Sequence, residues 1–105
     1  RPLTYEFHPG ATTEYLEALA RYERLDADLG FRFLLALESG IHFATERPFA
    51  CPVVRAPSIR RKVLSSFPYN LLFAIEDQHL FVLAVAHQKR HPDYWLHRLA
   101  GLAGV

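Results

Sequence analysis

The run Leu80 to Ala86 holds seven apolar residues without a charge, and His87, Gln88, Lys89, Arg90 and His91 follow it at once. A buried strand that ends in a polar, mostly basic cluster suits three uses. It can be a catalytic site, a contact surface for a partner, or a solvated strand end. His87 has the side chain that moves protons near neutral pH, and Lys89 and Arg90 can meet an anion. A second basic cluster is Arg60-Arg61-Lys62. On a strand, Arg60 and Lys62 project to one face and Arg61 to the other. Three basic residues with no aromatic residue between them make a weak nucleic-acid patch and an ordinary solvated sheet rim. His87, His91 and His97 fit no standard zinc spacing and no Cys joins them, so no metal is expected. Cys51 is the single cysteine. It excludes an internal disulfide, suits a reducing cytoplasm, and reads as a small hydrophobe.

The elements that must position these residues follow from periodicity. Leu3, Tyr5 and Phe7 alternate with Thr4, Glu6 and His8, which predicts a short strand ended by Pro9-Gly10. From Ala11 the period becomes helical, with Tyr15, Leu19 and Tyr22 on one side. A break falls at Leu25-Asp26-Ala27, where Asp26 or Asp28 can cap a second helix. That helix carries Leu29, Phe33, Leu37 and Ile41 as its stripe, with Leu34 beside them, and stops before Pro48. Phe49 to Pro57 reads as a loop. Three strands follow: from Ile59, from Tyr69 to Glu76, and from His79 to Ala86, the last two joined at Glu76-Asp77-Gln78. The last strand, apolar throughout, is expected at the centre of the sheet. Pro92 and Asp93 suit the first turn of a short terminal helix, docked by Tyr94, Trp95, Leu96 and Leu99. The prediction is one α+β domain over residues 1–105. A helical hairpin packs on a small, mostly antiparallel sheet of about four strands.

Composition limits the function classes. With 105 residues, half of them hydrophobic, the chain can bury a modest core. It has no apolar run long enough to span a bilayer and no apolar stretch of a secretory leader near its start, so no membrane role is expected. Residues 1–51 carry five basic and eight acidic side chains, and residues 52–105 carry seven basic and three acidic. The C-terminal half is therefore suited to an acidic partner.

Taken in order, Arg61-Lys62, Leu64, Phe67-Pro68-Tyr69, the apolar hairpin, Val82 to His87, Arg90, Pro92 and Tyr94-Trp95 resemble the RelE/ParE toxin superfamily. Upstream, Gly30-Phe31-Arg32-Phe33-Leu34-Leu35-Ala36-Leu37 resembles the signature of its helical hairpin. The resemblance covers nearly the whole chain and is greatest to the ParE-like, plasmid-stabilisation branch. It implies the toxin of a type II toxin–antitoxin module, bound and silenced by a small antitoxin in a hetero-oligomer. No cofactor is implied.

The superfamily offers two activities. Its RelE branch cleaves mRNA in the ribosome, and its ParE branch poisons DNA gyrase without catalysis. For the first, the resemblance places Arg60, Lys62, His87, Arg90 and Tyr94 round a phosphate. Two positions depart from that branch: Asn70 and Gln88 stand where it carries arginines. An amide cannot supply the cationic fork that grips phosphate oxygens, and one lost transition-state donor costs about 10²–10³ in rate. The gyrase-directed reading is therefore preferred, with the ribosome-dependent endoribonuclease as the alternative. Partner contacts are then expected on the two helices, the sheet edge and the C-terminal segment. The residues proposed for them are Tyr15, Phe31, Leu35, Arg61, Lys89 and Trp95. The antitoxin would lay a helix beside the hairpin or add a strand to an edge.

Overall fold

In the computed structural model, which describes residues 3–55 and 58–101, the chain opens with β1 (Thr4–Phe7) and turns directly into α1 (Pro9–Leu25). Pro9-Gly10 does not merely end the strand. It forms the first turn of the helix, where a proline without N–H is tolerated, and His8 Nδ1 accepts the Gly10 N–H at 2.9 Å. Asp26 then serves both helices. Its N–H donates to the Tyr22 carbonyl at 3.0 Å to close α1, and its side chain accepts the Asp28 N–H at 2.8 Å to open α2 (Ala27–Glu46). One residue thus makes the tight hairpin.

Behind the hairpin lies a five-stranded sheet in the order β1-β5-β4-β3-β2. Its further strands are β2 (Val53–Arg55), β3 (Ile59–Val63), β4 (Tyr69–Glu76) and β5 (His79–His87). The sheet has one strand more than the four expected. Val53–Arg55, inside the stretch read as a loop, pairs with β3 as a short edge strand. Three residues are too few for alternation to reveal, and prolines flank them. β1 runs parallel to β5 along Thr4↔His79 to Phe7↔Val82, and the other neighbours are antiparallel. The middle strand is therefore β4, and β5 lies between it and β1. The hairpin turn at Asp77 and Gln78 holds both residues at positive φ, 51° and 62°, which matches the twist of the strands it joins.

The sheet buries both faces. On the front, Phe33, Leu37, Ile41 and Ala44 of α2 and Ala11 and Ala18 of α1 meet Leu71, Phe73, Val82 and Val85. On the back, Trp95 covers Ile59, Leu72, Ala74, Leu83, Ala84 and Ala86, with Tyr94, Leu96 and Leu99 around it. The C-terminal segment that carries them is a turn followed by a 3-10 helix, Leu96–Gly101, rather than the α-helix expected. Docking of Trp95 fixes this segment more than helical periodicity does. Register slips by one between Leu72 and Phe73, so Leu83 is an extra residue in β5. This bulge puts Leu83 and Ala84 in succession against the back-face core.

Candidate functional site

β1 stops at Phe7, while β5 continues to His87. The last pairing on that side is the His8 N–H to the Val82 carbonyl, 2.9 Å. Beyond it the β5 edge is open, and side chains take the place of the missing strand. Arg98 Nη1 donates to the Leu83 carbonyl at 2.8 Å, and the Val85 N–H donates to Glu14 Oε1 at 3.0 Å. Arg98 and Glu14 are themselves joined by two contacts of 3.0 Å, and their side chains are only 9% and 13% exposed. Gly10 makes room for this pair, because a Cβ there would lie 2.6 Å from the Arg98 guanidinium carbon.

Tyr94 belongs to the same cluster. Its hydroxyl donates to Glu14 Oε2 at 2.6 Å. Burial, then the hydrogen bond to Glu14 and its charge, push the Tyr94 hydroxyl pKa far above its ordinary value. The guanidinium carbon of Arg90 lies 3.8 Å from the Tyr94 ring centroid and that of Arg98 5.3 Å from it. The phenol is thus held as a neutral donor, with cations against its ring.

The back of the sheet carries a cleft of about 230 Å³ whose floor is Leu72, Ala86 and Trp95. Arg61, Asn70, Gln88, Arg90, Arg55 and Asp93 stand round it. Gln88, just past the end of β5, donates to Asn70 of β4 at 3.3 Å, so the two residues at which the sequence departs from the resemblance make a paired amide rim. Arg55 is bound to Asp93 at 3.0 Å. Among the described residues Arg61 Nε and Trp95 Nε1 are buried donors with no acceptor.

Of the residues that the resemblance would gather round one phosphate, His87, Arg90 and Tyr94 line the back cleft together, and the sheet separates Arg60 and Lys62 from them. Arg60 and Lys62 pair with Phe73 and Leu71, whose side chains form the front core. Arg60 donates to the Cys51 carbonyl at 2.6 Å and lies over Phe49, while Lys62 sits 4.3 Å above the Phe43 ring. Arg61, between them, is the one that reaches the back cleft. His87 leans to the front, with its ring 5.1 Å from that of Tyr69. There it lines a smaller cleft of about 220 Å³ with Glu14, Glu17, Arg21 and Arg90. Arg21 donates to the Tyr69 hydroxyl in the same place. Of the five, His87 and Arg90 border both clefts.

The histidines have local duties. His87 Nδ1 accepts the Lys89 N–H and His91 Nδ1 accepts the Asp93 N–H, both at 3.1 Å. Each thereby closes its own turn as His8 does. Among the described residues no group of three His, Cys, Asp or Glu could hold a metal ion. Burial pushes the Cys51 thiol up, against the smaller pull of Lys62 and Arg60, so it is not poised as a nucleophile.

The residues expected at partner contacts divide. Phe31 and Leu35 stand 59% and 47% exposed on the outer side of α2. Leu35 borders a groove of about 390 Å³ with Leu29, Arg32, Ala36, Ser39 and Phe67. Lys89 is exposed and Arg61 half-buried. Tyr15 is half-buried with its ring 5.5 Å from that of Phe7, and Trp95 is 2% exposed, so Trp95 offers little contact surface. Glu14, Arg98, Asn70 and Gln88 were the structural residues that periodicity could not bring together. Only the departure of the last two from the resemblance marked them.

No family model matches the chain, and no curated protein does. Among solved structures it is similar to a chain of the chromosomal ParDE TA system from P. aeruginosa. That match has a TM-score of 0.69 at 10% identity, over 81% of this chain and 95% of that one. The chain therefore shares the fold of that ParDE chain, an N-terminal strand and helical hairpin on a mixed sheet. Among the described residues no helix is long and apolar enough to cross a membrane.

Proposed function

We propose that the chain is the toxin of a type II toxin–antitoxin module, acting on DNA gyrase by binding rather than by catalysis and neutralised by a small antitoxin. The observation that carries the non-catalytic half is the Asn70–Gln88 amide rim. Where the RNA-cleaving relatives in the resemblance have two cations, this chain has two neutral side chains bonded to each other. Tyr94 adds to it, because its hydroxyl is committed to Glu14. The likeness to a ParDE structure and the exposed apolar outer side of α2 support the toxin and antitoxin half. We take the cytoplasm as the place of action and a toxin–antitoxin hetero-oligomer as the resting form.

The test is expression in bacteria beside a supercoiling assay with purified gyrase. Filamentation and blocked supercoiling are expected. Normal supercoiling at high toxin concentration, with rapid arrest of translation and cut mRNA, would replace this reading by the ribonuclease one. One observation favours that second reading: His87, Arg21, Arg90 and Tyr69 meet in the front cleft. A general acid–base pair acting with two cations is the inventory that phosphodiester cleavage requires.

A further inference from the structure

The cleft on the back of the sheet is short of acceptors. Among the described residues Arg61 and Arg90 make no ion pair, and the carboxylate of Asp93 is taken by Arg55. Arg61 Nε and the Trp95 indole N–H are buried without a partner. A cation half-buried beside an apolar floor is poorly hydrated, and its attraction for an anion is correspondingly less screened. Nucleic acid would bring phosphates, but it binds such surfaces by stacking bases on exposed aromatic faces as well. Here Trp95 is buried and the Tyr94 ring is covered by Arg90. The floor of Leu72, Ala86 and Trp95 suits apolar side chains instead.

We propose that this cleft receives an acidic side chain of a protein segment, its carboxylate set between Arg61 and Arg90 and its apolar neighbours on the Leu72–Ala86 floor. The inference rests on the reading of the chain as a toxin held by a protein partner, and it adds a second contact region on the opposite face from the helical hairpin.

Trp95, the sole tryptophan, lies in the cleft floor and reports its occupancy by fluorescence. The experiment selects displayed random 16-residue peptides on the full chain and synthesises the enriched ones. Enriched peptides are expected to carry Asp or Glu among apolar residues and to shift Trp95 emission. Binding should weaken about tenfold or more when the peptide acid becomes its amide, or with Arg61→Gln. The Arg90→Gln change, at an exposed position, should weaken it too and guards against misfolding of the first variant. Acid-poor peptides, unchanged Trp95 emission, or binding to both variants as tight as to the parent would overturn the proposal. So would tighter binding of a single-stranded RNA of similar length, or a concentration-dependent dimer that blocks the peptide. Gyrase inhibition is read separately. Inhibition with no acid-dependent peptide binding discards the cleft and keeps the gyrase reading, and the reverse result discards the gyrase reading alone.

Discussion

Tyr94 holds the position that the resemblance gives to a catalytic tyrosine, yet its oxygen lies 2.6 Å from the Glu14 carboxylate. A Tyr94→Phe change should therefore cost stability rather than toxicity. A hydrogen bond to a charged group contributes about 1.5–3 kcal/mol. Glu14 keeps its other donors here, so about 1–2 kcal/mol is expected in denaturant unfolding, with growth inhibition retained. Loss of toxicity in a folded variant would point to catalysis. The same contact sets an alkaline limit. Because the folded hydroxyl is raised, the stability it contributes is whole below its ordinary value of 10.0 and is lost as pH rises past that. Tyr94→Phe should flatten this alkaline fall. His8 works in the opposite direction. Burial, then the charges of Arg98 and His97, lower its pKa against the smaller pull of Glu14, and its Nδ1 must stay unprotonated to accept the Gly10 N–H. A lowered folded value means that the unfolded chain binds the proton first. Stability should be whole above about 6.5, the ordinary value, and fall as pH drops below it. His8→Asn keeps an acceptor at the start of α1 without the titration, so its melting temperature should vary less between pH 7.5 and 5.5 than the parent's.

At the level of elements, the unpaired end of β5 depends on Glu14 from α1 and Arg98 from the C-terminal segment. Arg98→Met removes the acceptor's partner and the donor to Leu83 together and leaves a buried carboxylate uncompensated. Breaking a buried pair in this way costs about 3–5 kcal/mol, and the Val85 amide should exchange its hydrogen far sooner than the neighbouring amides of β4. Glu14→Gln added to Arg98→Met should recover part of the loss, because the uncompensated charge goes. A double variant no better than the single would refute the clamp. Periodicity revealed α1, α2, β3, β4 and β5 because each repeats its pattern over a whole face. It missed β2, whose three residues offer no repeat, and it set β5 at the centre because hydropathy cannot distinguish the middle strand from one neighbouring it. Nor could it disclose that Arg60 and Lys62 lie under the helices. Alternation put them on one shared face correctly, but which face meets the hairpin is decided by Leu71 and Phe73 on the adjacent strand. The clamp was invisible for a related reason. It joins positions separated by 84 residues, and no local spacing encodes such a pair.

Across the whole molecule, charge and apolar exposure are distributed unevenly. The acid-rich half of the sequence builds the helical hairpin, whose outer side exposes Phe31 and Leu35, while the basic half builds the sheet and its back cleft. A partner that wrapped the molecule would thus meet apolar contacts on one side and cations on the other. Exposed aromatic and aliphatic side chains beside a groove are the usual anchors of a bound amphipathic helix, and they contribute nothing to the core of the free chain. Changing both Phe31 and Leu35 to Asp should leave the melting temperature within a few degrees of the parent's, since surface changes rarely exceed about 0.5 kcal/mol each. The same change should weaken neutralisation strongly, because two anchors at a helix-binding groove carry about 2 kcal/mol or more apiece. The measurement is growth of bacteria that express the variant with and without the cognate antitoxin. Arrest in both cultures is expected, where the parent arrests growth only without antitoxin. Rescue of the variant by antitoxin to the parent's level would place the main antitoxin contact elsewhere. Loss of arrest in a folded variant would instead make the outer side of α2 a surface for the target.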